Sequence, residues 1–243
     1  MKISIIILLT FFSAATYVCG QSLNREINKD SLIQTILKDL PEERKIEFLK
    51  VYNESNEQSK DFLLAIAMPM QKSSKKELVS NIDSNFEKIN FLETSYSKLV
   101  PKDYIVFIEF NPEDKFLMTK ESIDLRIEHK INEPNNFKQD WGLEYNSNKL
   151  SQMLEPLKWT NETIKLIKRL LSDANCVSIE NGDVTTIGFA RSGMGKYSFK
   201  FFNNDLTSDE IKEYNNGCTF IFYKKNIVLE YGGGAIGPQC FPD

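Results

Sequence analysis

Between Cys176 and Asp243, short β-branched and aromatic stretches alternate with turn residues so regularly that a sheet of hairpins is the architecture they fit. Residues 176–179 stop at Glu180-Asn181-Gly182-Asp183, and Asn-Gly tolerates the positive φ angles of a two-residue type I′ turn. Residues 184–190 return with Val184, Thr185, Thr186 and Ile187, whose branched side chains suit a pleated surface. Arg191-Ser192-Gly193-Met194-Gly195 is a second turn. Residues 196–202 follow as a strand with Tyr197, Phe199 and Phe201 on one face by the two-residue period. Thr207 and Glu210 stand three apart and fit a capping box opening a short helix, which Gly217 ends as a left-handed stop. Residues 218–223 and 227–231 make a last hairpin around Lys224-Lys225-Asn226. Gly232-Gly233-Gly234 ends it, because glycine weakens a strand interior, and the two-proline tail 235–243 is a loop.

Upstream, residues 21–99 form a helical segment. An apolar stripe of Leu32, Ile33, Ile36, Leu37 and Leu40 predicts a helix over 31–40, and Pro41 with Glu42 and Glu43 starts the next. Residues 60–68 are apolar enough to be buried, 71–76 are a polar, basic connector, and 77–99 make one long helix. At Pro101 the character changes. Residues 104–110 are a strand, Asn111-Pro112-Glu113-Asp114 a turn, and 115–119 and 122–129 are further strands. In the last of these Ile123, Leu125 and Ile127 alternate with polar neighbours, as expected of a sheet with one face on a core and one in water. Residues 132–139 read as a polar loop. Residues 147–154 and 160–171 are helices, the second capped by Thr160 and carrying a stripe of Ile164, Ile167, Leu170 and Leu171. Hairpins outnumber strand–helix–strand crossovers, so the fold class is α+β: a helical N-terminal segment, then an α+β domain over 100–243 with a mainly antiparallel sheet and a C-terminal meander.

Met1 to Gly20 has the pattern of a secretory signal peptide: Lys2, an apolar run from Ile5 to Phe12, then Ser13, Ala14 and Ala15. The expected cleavage follows Gly20. Acylation at Cys19 is the weaker alternative, since Val18 is not the small residue that such processing wants. No later stretch approaches the roughly 18 unbroken apolar residues of a spanning helix. Residues 21–243 are therefore expected to be secreted or periplasmic, without a transmembrane segment. A formal net charge of −4, one unit more negative without Lys2, argues against a nucleic-acid partner. In an oxidising compartment Cys176, Cys218 and Cys240 leave one pair and one odd thiol. Cys218–Cys240 closes the shortest loop, Cys176–Cys240 is the competing pair, and three reduced, buried cysteines are the bland alternative.

The densest candidate for chemistry is Arg191, Ser192, Gly193, Gly195, Lys196 and Tyr197. The two glycines let backbone approach a ligand, Arg191 and Lys196 carry positive charge, and Ser192 adds a hydroxyl, so a carboxylate or phosphate fits there. It is not a Walker-type phosphate loop: Ala190 stands where the first glycine belongs and Tyr197 replaces the magnesium-binding Ser/Thr. The competing reading is a glycine-rich hairpin turn with solvated charges. The only histidine, His129, sits in a charged stretch, and there is no CxxC or HxxxH spacing, so no metal or cofactor is expected. No spacing supplies a nucleophile, a base and an orienting group together. The leading expectation is an extracytoplasmic protein that binds an unknown protein or a small anionic ligand and catalyses nothing. The alternative is a hydrolase or transferase built on the 191–197 loop, with Ser192 or Cys218 as nucleophile and Lys196 or His129 assisting.

Overall fold

Hairpin connections make neighbouring strands pair antiparallel, and in the computed structural model eight of them form one sheet. The structure describes residues 28–38, 40–67, 73–114, 119–131, 137–192, 195–233, 237 and 239–241. The expected leader, its cleavage site, Cys19, Gly193 and residues 115–118 lie outside these. The strands are β1 (Tyr104–Asn111), β2 (Ser122–His129), β3 (Phe137–Leu143), β4 (Ser178–Glu180), β5 (Val184–Ser192), β6 (Gly195–Phe202), β7 (Phe220–Lys224) and β8 (Ile227–Gly232). Their order is β3-β2-β1-β4-β5-β6-β8-β7, every pairing antiparallel. The α+β class expected from the hairpin pattern is the observed one.

The chain divides into two compact units, Met1–Met68 with Glu113–Lys120, and Pro69–Pro112 with Glu121–Asp243. The first contains α1 (Lys29–Lys38), α2 (Glu42–Glu54) and α3 (Glu57–Ala67), around a small core of Leu32, Ile36 and Leu64. The second holds the whole sheet. Its helices are α4 (Lys75–Leu99), α5 (Asn148–Leu154), α6 (Asn161–Asp173) and α7 (Ser208–Glu213). Among the described residues no helix is long and apolar enough to cross a membrane.

In the second unit α4 and α6 cover one sheet face. Leu78, Ile82, Ile89 and Leu92 of α4 and Ile164 and Ile167 of α6 are buried with Ile108, Leu125, Ile179, Ile187, Phe199 and Leu229 of the strands. At roughly 2 kcal/mol per buried aliphatic side chain, this layer supplies most of the driving force for folding. Polar atoms caught inside it are matched. The Tyr96 hydroxyl donates to the Val106 carbonyl at 2.9 Å, and the Trp159 indole N–H to that of Leu99 at 3.0 Å. The α4 N-terminus carries a capping box, Ser74 accepting from the Glu77 N–H while the Glu77 carboxylate accepts from the Ser74 N–H. The helix therefore starts inside the stretch expected to be a connector.

Two local expectations are corrected. Residues 137–139, read as part of a loop, open the edge strand β3. Only Leu143 of that strand is buried, so it has no apolar alternation and is held by its backbone ladder to β2. Asn181-Gly182 does not make a two-residue turn, since Glu180 pairs with Thr186 and the connection is longer. Asn181 instead accepts from the Val106 N–H at 2.7 Å and donates to the Tyr104 carbonyl at 3.0 Å. Its amide group thus continues the hydrogen bonding of β1 beyond the end of the three-residue β4.

Cys218 and Cys240 form the disulfide, and Cys176 is free and buried. The bond holds the tail against the core: the Phe241 N–H donates to the Cys218 carbonyl, and the Phe241 ring meets Tyr197 and Tyr231. Burial pushes the Cys176 thiol up to about 12, against a smaller downward pull from the Asn81 amide. Two results are expected for residues 21–243. Non-reduced peptide mapping finds Cys218 joined to Cys240, and the Cys218→Ser/Cys240→Ser variant loses about 3 kcal/mol in denaturant unfolding, the loop-entropy value for this span. Cys176 resists alkylation at pH 8 in the native protein and reacts fully once unfolded.

Candidate functional site

Strand periodicity sends every second side chain away from α4 and α6, and across β1, β2, β4 and the facing parts of β5, β6 and β8 that second face carries charged side chains. Phe107 of β1 stands opposite Arg126 of β2 on one side and Glu180 of β4 on the other. Glu109 stands opposite Ser178, and Ser198 of β6 opposite Glu230 of β8. A bulge in β5 between Gly188 and Ala190 adds one residue. A one-residue slip exchanges the two faces, so Arg191 emerges on the charged face beside its cross-strand partner Lys196.

Glu109 is the centre of this face. It is 3% exposed, and it interrupts the apolar run from Tyr104 to Phe110. Lys196 Nζ donates to its Oε2 at 3.0 Å and to Ser178 Oγ at 2.9 Å. Arg191 donates to its Oε1 from Nε at 2.9 Å and from Nη2 at 2.8 Å. Removing a carboxylate from water costs several kcal/mol unless charged donors replace the water, and here two do. Lys196 reaches Glu109 across Gly188: a Cβ there would stand 2.1 Å from Ser178 Oγ and 2.9 Å from Lys196 Cδ. Around this core Arg126 pairs with Glu180 at 2.6 Å and Lys200 with Glu230 at 3.4 Å. Burial raises the Glu230 carboxyl above its usual range, while Lys200 acts in the opposite direction.

Aromatic rings line the same surface. Lys196 lies 5.1 Å and Arg126 6.0 Å from the centre of the Phe107 ring, near enough for cation–π attraction. Trp141 of β3 meets Phe107 edge-on at 6.4 Å and is 56% exposed. These side chains bound a cleft of about 270 Å³. A larger, polar cavity of about 470 Å³ lies where α4 meets β5, and Arg191 borders it as well. Its asparagines are engaged with one another: the Asn81 amide donates to the Ala174 and Asn175 carbonyls, and its Oδ1 accepts from Asn85 and Asn175. The smaller cleft gathers more of the charged groups: Glu109, Arg126, Glu180, Arg191, Lys196 and Glu230 line it.

Of the six residues singled out in the 191–197 segment, Gly193 lies outside the described residues and the other five do not form one site. Arg191 and Lys196 come together, on Glu109. Ser192 points to the other face, where its hydroxyl donates to the Ser73 carbonyl at 3.1 Å. Tyr197 is fully buried against Tyr231, ring centres 4.7 Å apart. Gly195 serves packing, since a Cβ would lie 2.8 Å from the Tyr231 ring. Cys218 is in the disulfide and has no thiol to act as nucleophile. His129 packs on Tyr104 at 4.8 Å and its Nδ1 accepts from the Ile131 N–H. Among the described residues no three His, Cys, Asp or Glu side chains converge as a metal site. Residue-type reasoning missed Glu109, Arg126, Ser178, Glu180 and the role of Trp141. Two signals for them were in the sequence: an acid inside the apolar run 104–110, and Gly188 inside a strand, which marks close approach.

Three variants rank these contacts by chemical denaturation. Lys196→Met strips a buried carboxylate of its more buried partner and is expected to cost about 3 kcal/mol. Arg191→Ala removes a half-exposed partner and costs about 1 kcal/mol. Gly188→Ala forces Lys196 and Ser178 apart and costs about 2 kcal/mol. Equal losses for Lys196→Met and Arg191→Ala would contradict the burial order. No protein-family model matches the chain, and neither a search of curated proteins nor one of solved structures finds a match.

Proposed function

We propose that this chain is an extracytoplasmic binding protein that takes a small ligand into the cleft on the sheet face opposite α4 and α6 and does no chemistry on it. The carrying observation is the Glu109 cluster: side chains from β1, β4, β5 and β6 lock one another in position beside a concave, aromatic-edged surface. Arg191, half-exposed, uses Nε and Nη2 on Glu109 and keeps further N–H donors for a ligand. A preset arrangement of this kind lowers the entropy cost of binding. The groups of the hydrolase alternative are engaged elsewhere: Cys218 in its disulfide, Ser192 with Ser73, His129 with Tyr104. Export is supported by the leader-like residues 1–20 and by the disulfide, a bond that persists in oxidising compartments.

An NMR screen of isotope-labelled residues 21–243 against a fragment mixture of carboxylates, amines and polyols tests this reading. Binders are expected to shift the backbone amides of β1, β4, β5 and β6 around Glu109 and Lys196. Arg191→Ala weakens such a hit about tenfold, the worth of one charge-assisted hydrogen bond. Shifts confined to the helix-covered face, or turnover of a fragment, would overturn it.

A further inference from the structure

The charge arrangement of the cleft narrows what it accepts. Among the described residues the cations around the cleft are each within 3.4 Å of a carboxylate: Arg191 and Lys196 with Glu109, Arg126 with Glu180, Lys200 with Glu230. An anionic ligand must either displace Glu109, which is held in the sheet and 3% exposed, or share Arg191 with it against like-charge repulsion. A cationic ligand must compete with the arginines and lysines for the same carboxylates. Either exchange leaves a charge poorly paired at a site partly withdrawn from water, which is costly. A hydroxyl group avoids the conflict, since it both donates and accepts. A ligand rich in neighbouring hydroxyls can accept from guanidinium and donate to carboxylate while each ion pair stays closed.

Trp141 adds an independent constraint. Tryptophan is highly buried on average, yet this one is 56% exposed at the rim of the cleft. Phe107 meets it edge-on, with the ring planes 67° apart. A flat apolar ring beside paired donors and acceptors matches a ligand with one C–H face and a hydroxyl periphery. The cleft volume of about 270 Å³ has room for about one such ring, the rest of a chain extending past its open rim.

Taking the cleft as the ligand site proposed above, we infer that its ligand is a neutral saccharide, one sugar face stacked on Trp141 and its hydroxyls between the Arg126–Glu180 and Arg191–Glu109 pairs. The test uses residues 21–243 and titrates maltotriose, cellotriose, xylotriose, mannotriose and triacetylchitotriose separately, by isothermal calorimetry and tryptophan fluorescence. The second tryptophan, Trp159, is buried, so a fluorescence change at the cleft comes from Trp141. At least one sugar is expected to bind with a Kd below about 1 mM. Trp141→Ala and Glu180→Gln each weaken it at least about tenfold by calorimetry, with circular dichroism and melting confirming that both variants fold. Citrate and inorganic phosphate run as the second arm. If they saturate and the sugars do not, the cleft is a ligand site but the saccharide assignment is wrong. If neither arm binds, the saccharide assignment falls and the fragment screen decides the cleft itself. Sugar binding that Trp141→Ala leaves unchanged also overturns it, because the sugar then binds elsewhere.

Discussion

The charged half of this sheet depends on the burial of Glu109. A carboxylate shut away from water in the middle strands cannot stand alone, and its need for donors determines what surrounds it. Lys196 must cross the face to reach it, so Gly188 must lack a side chain. Arg191 must share that face, so β5 must bulge. Ser178 takes the next donor of Lys196, and Phe107 receives the stems and charges of Lys196 and Arg126. Five strands are thereby joined side chain to side chain on the face opposite α4 and α6, in addition to the backbone ladder.

The hydrophobic pattern and the ion pairs divide the work of specifying the fold. Helix stripes and strand alternation place the core, where Ile108, Leu125, Ile179 and Leu229 meet α4 and α6 with little regard to exact partners. Dispersion and burial are non-directional, and many arrangements of the same volumes would serve. Ion pairs are directional. Glu109 accepts two cations only if β1, β5 and β6 keep one register, because a slip by one residue sends Arg191 or Lys196 into the apolar layer.

That division explains what was legible in the sequence. The antiparallel class, the hairpin order of the last third, the Thr160 and Thr207 caps and the Cys218–Cys240 bond all follow from local signals: periodicity, turn residues, cap spacing and loop length. The Ser74-Lys75-Lys76-Glu77 box was equally local and marks where α4 begins. The strand β3 gave no such signal, because only one of its residues is buried and its backbone pairing is invisible in side-chain type. Asn181-Gly182 gave a misleading one, since a side chain that suits a tight turn suits equally well the capping of a neighbouring strand. The site was half legible. Arg191 and Lys196 are close in sequence and their convergence needs only a hairpin, whereas Glu109, Arg126 and Glu180 arrive from three other strands and their proximity is a property of the sheet order.

The same reasoning revises what a glycine-rich segment with two cations means. Read linearly, such a segment offers positive charge to a passing anion. In the fold Gly195 makes room for the Tyr231 ring, and Gly188, upstream, for Lys196 on its way to an internal carboxylate. The charge that looked available is largely neutralised from within, leaving directional hydrogen-bond donors and acceptors in place of net potential. A surface so balanced attracts no ion from a distance, since long-range steering requires an unbalanced field. Any discrimination at such a surface acts at contact range, through the match between a ligand's own donors and acceptors and those of the paired charges.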